Sequence, residues 1–133
     1  MDPVTQRRIA QAGKEVDPGW YRIHRHLSIH LTRGALALGL VANHASLGMM
    51  ACGLAGAALL VPASPALNVL GFAVLYPAFL LDKVDGELAR LQGTQNLRGV
   101  FLDRMHHRLV EPCLFVAVAV HEHLRTGSLV PLA

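Results

Sequence analysis

Charge is missing from the middle of this chain. From Gly34 to Leu81 there is no Asp, Glu, Lys or Arg. Over the whole sequence, charged residues make up 16% and hydrophobic residues 53%. That balance is too apolar for a typical small water-soluble domain. Aromatic residues are also scarce, at 5%. Few rings lie among the basic residues to stack on bases, which argues against nucleic acid and favours anionic lipid headgroups. Only two cysteines occur, Cys52 and Cys113. Both lie in apolar stretches outside any CxxC or Cys/His pattern, so each is expected to be a buried, inert thiol. The polar start, M-D-P-V-T-Q-R-R, is not followed at once by an apolar core with a cleavage site. No removable signal peptide is expected, and the first membrane span itself directs insertion.

What is present is Ala, Leu, Gly and Val, the small and aliphatic residues that let membrane helices approach closely. The 133 residues suggest one domain, 1–133. Residues 1–18 are polar and broken by Pro3 and Pro18. They are expected to be a partly ordered tail, although Gln6 to Glu15 could form a short surface helix. In residues 19–40, Trp20, Ile23, Leu27, Leu31 and Ala35 recur at helical steps and share a face. Arg22, His24, Arg25, His26 and Arg33 fill much of the rest. This layout predicts an amphipathic helix in the headgroup plane, with Trp20 and Tyr21 at the interface.

Three membrane helices are expected at 43–61, 67–92 and 97–124. The first has about the twenty residues a bilayer core needs. Asn43 is its expected cap, and Gly48, Gly53 and Gly56 allow close packing. The short uncharged turn P-A-S-P, residues 62–65, makes the first two helices antiparallel neighbours. Pro77 and Pro112 predict kinks. The third helix begins charged and becomes apolar from Leu109. Beyond Arg125, the apolar stretch Ser128–Ala133 reads as the start of another helix. The expected fold is an all-α integral membrane protein: an interfacial helix followed by about three transmembrane helices. Eleven of the twelve Lys and Arg lie before Gly34 or between Lys83 and Arg108. The positive-inside rule puts both regions in the cytoplasm of a multi-pass protein of the cell membrane.

Nine charged residues then fall between Asp82 and Arg108. Acids at the end of an apolar helix are costly unless paired, solvated or bound to a cation. Asp82, Asp85, Gly86 and Ala89 share one helical face, with Arg90 a step off it. Gly99, Asp103 and His107 share a face of the next helix, with His106 beside it. Only a few residues join these helices, so the two faces can oppose each other. Carboxylates converging without Cys favour hard cations such as Mg²⁺, Mn²⁺ or Ca²⁺. Gly86 and Ala89 remove bulk where a ligand could lie. The plainer alternative is an interfacial salt-bridge set of these acids with Lys83, Arg90 and Arg104. Glu87 lies off the acidic face and is expected to be solvated.

The full pattern is Asp82-x2-Asp85-Gly86-x2-Ala89-Arg90-x8-Gly99-x3-Asp103-x3-His107. It resembles the signature of the CDP-alcohol phosphotransferase (phosphatidyltransferase) family, D-x2-D-G-x2-A-R-x8-G-x3-D-x3-D, at seven of its eight fixed positions. The stretch A-N-H-A-S-L before the first span loosely resembles the P-N-x-[LV]-[TS] often found there. The resemblance implies transfer of a phosphatidyl-type group from a CDP-linked lipid, such as CDP-diacylglycerol, to an alcohol acceptor. CMP is released, and the product is usually a phospholipid. By motif position, Asp82, Asp85 and Asp103 would bind two ions of Mg²⁺ or Mn²⁺. Asp82, Gly86, Ala89, Arg90 and Gly99 would line the CDP moiety. His107 stands where the family has Asp, proposed there as ligand and base, and a neutral imidazole can serve as the base. The family usually has six membrane helices and forms a dimer. The resemblance therefore implies an N-terminal half or a short member, homodimeric among membrane lipids. The alternative implied is an inactive or truncated member that serves as a membrane binding or dimerisation partner.

Overall fold

The computed structural model describes residues 2–12 and 19–127. Among them the chain is helical and has no strand. Its elements are α1 (Pro3–Ala10), α2 (Gly19–Ala37), α3 (Ala42–Leu60), α4 (Pro65–Gln92) and α5 (Leu97–Thr126). The expected surface helix beyond residue 12 and the apolar stretch Ser128–Ala133 lie outside the described residues.

Local chemistry sets the helix ends. Asp2 caps α1 by accepting from the Val4 and Thr5 N–H groups, and Pro3 occupies the first turn, where its missing donor costs nothing. Pro3–Ala10 is therefore an ordered part of the N-terminal segment. Ala10 is fully buried, and Arg33 of α2 donates to the Pro3 carbonyl at 2.8 Å. The cap of α3 is also not the expected Asn43. The helix begins one residue earlier, and the His44 ring accepts from the Val41 N–H at 3.3 Å. Gly93, at φ +63°, ends α4 in the left-handed conformation that favours glycine. Asn96 opens α5 by accepting from the Gly99 N–H at 3.0 Å. Both α4 and α5 continue through their prolines, Pro77 and Pro112.

The α3–α4 hairpin is antiparallel. Ser46 meets Asp85, Gly48 meets Leu81 and Gly56 meets Gly71. Then α5 runs back alongside α3, with Gly53 against Val110, and Ala57 and Leu60 against Ala117. The glycines permit this proximity. A Cβ on Gly56 would lie 2.6 Å from Leu75 Cγ and 3.1 Å from the Gly71 carbonyl. Gly56→Leu should therefore lower stability by about 1–3 kcal/mol through overpacking. Denaturant titration of the detergent-solubilised protein would measure this, and an unchanged midpoint would refute the close-approach account.

Two helices, α3 and α4, are long and apolar enough to cross a membrane. The expected third span does not reach that standard. α5 has 30 residues, but Glu111 and the segment from His121 to Arg125 interrupt its apolar run. Side chains such as Val69, Phe72, Phe115 and Val116 face outward.

The amphipathic pattern of α2 is inverted relative to a soluble protein. Its Trp20, Ile23, Leu27 and Leu31 are exposed, whereas Ser28 and Thr32 are fully buried against α4 beside Ile29. Rings reinforce the α2–α4 seam. Tyr21 and His24 pack on Phe79, and the Lys83 ammonium sits 3.6 Å from the Phe79 centroid.

Candidate active site

The end of α4 and the start of α5 enclose a cavity of about 590 Å³. Asp82, Asp85, Gly86, Ala89, Arg90, Gly99 and Asp103 all line it. The reversal at Gly93 brings the two predicted faces together. His107 stands one turn beyond Asp103, outside the lining.

Asp82, Asp103 and His107 each bring one ligand atom to within 4.8 Å of the others. Two carboxylates and one imidazole form a donor set suited to a divalent cation that accepts oxygen and nitrogen. Asp85 lies one turn from Asp82 on α4 and is turned toward α3. It is only 9% exposed, and its Oδ2 accepts from the Ser46 hydroxyl at 2.8 Å. The structure thus groups Asp82 and Asp103 with His107, and ties Asp85 to Ser46 beside them. Lys83 approaches Asp82 at 3.7 Å. Arg90 donates through Nε to the Ala10 carbonyl, which anchors the guanidinium to α1.

Gly86 and Gly99 differ from the packing glycines. A Cβ on Gly86 would meet only the Arg90 guanidinium, at 3.5 Å, and one on Gly99 only Asn96 Oδ1, at 3.9 Å. Both are ordinary contacts, so the protein's own packing does not require glycine there. The bulk they remove is bulk that would face the cavity.

His107 lies in the charged first turns of α5, before the apolar part. Its Nδ1 is 2.7 Å from Glu111 Oε1, and its Nε2 is 3.7 Å from Asp103 Oδ1. The Glu111 hydrogen bond raises the His107 pKa above the ordinary imidazole value, with burial opposing and the Asp103 charge adding. His106 shifts the other way, because burial disfavours its charged form and His107 repels it. Its ring packs at Gly53 of α3.

Several residues at the site escaped sequence reasoning. Glu87 is not solvated but fully buried. It accepts from Ser28 at 2.7 Å, Thr32 at 2.6 Å and Gln11 at 3.0 Å. The four-residue spacing of Ser28 and Thr32 on α2 was the available signal. Tyr21 and Arg25 of α2, Asn43 of α3 and Thr94 to Asn96 of the turn complete the cavity wall. Glu111, four residues after His107, was a signal of the same kind.

A comparison with curated proteins finds no match to this chain. Residues 39–132, most of its length, match the family model described as CDP-alcohol phosphatidyltransferase.

Proposed function

The chain belongs to the CDP-alcohol phosphatidyltransferase family, and from that premise we propose that it transfers a phosphatidyl-type group from a CDP-linked lipid to an alcohol acceptor in phospholipid biosynthesis. The observation that carries this reading is the convergence of Asp82, Asp103 and His107 at a cavity whose wall holds Gly86, Ala89, Arg90 and Gly99. The acceptor oxygen bonds to the lipid-side phosphorus of the diphosphate. The bond from that phosphorus to the oxygen of the departing CMP breaks. The acceptor proton goes to His107.

Asp82 and Asp103, with Asp85 beside them, would hold Mg²⁺ or Mn²⁺, which would supply positive charge against the diphosphate and the leaving CMP. The Arg90 guanidinium and the glycine faces of Gly86 and Gly99 lie along the CDP moiety. Residues 1–133 act as one membrane domain, as a homodimer, with the cavity on the cytoplasmic side. The exposed apolar face of α2 supports an interfacial position for that helix. Membranes containing the full chain should release CMP from CDP-diacylglycerol when given Mg²⁺ or Mn²⁺ and a panel of alcohol acceptors. Silence across the whole panel would refute catalysis and favour a binding or dimerisation role.

A further inference from the structure

Glu111 is an acid on the apolar half of α5, just before Pro112, where a charge needs a reason. Asp103, His107 and Glu111 follow each other at four-residue steps on one helical face. The 2.7 Å contact between His107 Nδ1 and Glu111 Oε1 has an ordinary hydrogen-bond length. An ionised carboxylate only accepts, so Nδ1 must donate. In a neutral imidazole the other nitrogen then carries no hydrogen. That nitrogen, Nε2, faces Asp103, at a distance too long for a hydrogen bond to occupy it. His107 also belongs to the cluster with Asp82 and Asp103.

We infer that Glu111 is a positioning residue that holds His107 in the Nδ1–H tautomer and presents a bare Nε2 toward Asp103. This rests on the transferase reading, in which Nε2 receives the acceptor proton. An aspartate at position 107 would need no such partner, because either of its oxygens can accept. The Glu111 side chain is 58% exposed, so replacing it removes little packing.

The test uses the full chain in detergent with ¹⁵N-labelled histidine, at a pH above the raised His107 pKa, where the ring is neutral. The His107 signals are assigned by their loss in His107→Asp. The wild type should show hydrogen on Nδ1 and a bare Nε2. Glu111→Leu should shift hydrogen toward Nε2, whereas Glu111→Gln, whose amide oxygen still accepts, should largely preserve the wild-type state. In parallel, Glu111→Leu should lower kcat for CMP release roughly 10–100-fold, the usual effect of losing a partner that orients a site histidine, with little change in donor KM. Placed on His107→Asp, the same substitution should cost nothing further. An Nε2–H wild type, a tautomer indifferent to Glu111→Leu, or an equal loss in the His107→Asp background would each overturn the inference. If the wild type releases no CMP, the transferase reading fails by itself, and the tautomer shift still decides the role of Glu111.

Discussion

Replacing Asp103 with Asn is expected to cut CMP release by roughly a thousandfold, with Asp82→Asn equally damaging. The two side chains come from different helices and meet only because the chain reverses at Gly93. Each supplies one ligand atom to the cluster that His107 completes. Asparagine keeps the shape but removes the negative charge and one oxygen acceptor. Charge stabilisation by a bound divalent cation is worth several kcal/mol in the transition state. Each 1.36 kcal/mol is tenfold in rate, so a loss of about 4 kcal/mol gives the stated drop. Asp82 is one-third exposed and Asp103 nearly half, so neither substitution should disturb packing. Single-turnover CMP release, paired with Mn²⁺ titration, reads both effects. An Asp103→Asn protein with wild-type turnover would falsify the assignment of Asp82 and Asp103 to the metals.

The second large effect concerns the buried acid. Glu87→Ala should destabilise the protein by about 3–5 kcal/mol. Its two oxygens accept from Gln11, Ser28 and Thr32, which belong to the N-terminal segment and α2. Removing the carboxylate takes a buried acceptor from three donors, at about 1–3 kcal/mol each before relaxation. Part is recovered, since Gln11 and Ser28 already donate to the Arg25 carbonyl, at 2.7 and 3.2 Å. Glu87→Gln should cost about 1 kcal/mol. The amide oxygen can accept where Gln11 and Ser28 now donate, and its nitrogen can donate to Thr32. Because α1 also receives Arg90, and α2 supplies Tyr21 and Arg25 to the cavity, Glu87→Ala should weaken donor binding as well. Denaturant midpoints of the two variants, with protease sensitivity ahead of α3, separate the cases. Equal midpoints for Ala and Gln would remove the hydrogen-bond explanation.

The long apolar run, the turn at P-A-S-P and the glycine after Gln92 were enough to place α3, α4 and α5, because hydropathy and turn chemistry act over short spans. The acidic faces were legible for the same reason: three- and four-residue steps put Asp82 with Asp85, and Asp103 with His107. The cap of α3 and Glu87 were misread. In each case the deciding partner lies far along the chain or is an unexpected side chain: His44 for Val41, and Gln11, Ser28 and Thr32 for Glu87. The spacing showed the apolar face of α2, but not that Ser28 and Thr32 on its other side reach the Glu87 carboxylate of α4.

The sequence by itself determined that this is a helical chain with two apolar helices, and that a spaced set of acids, glycines and one arginine marks the family. Periodicity and motif spacing are local quantities, and one strand of residues carries them whole. Only the tertiary structure decided that Asp103 joins Asp82 and His107 while Asp85 turns to Ser46. It alone decided that Arg90 is anchored on α1, and that a buried Glu87 fastens the N-terminal helices to the cavity wall. Those outcomes depend on which surfaces meet when α4 folds back against α3 and α5 returns alongside. That is set by glycines lying so close to the neighbouring helix that an added Cβ would fall within about 3 Å of it, a proximity that spacing along one helix does not encode.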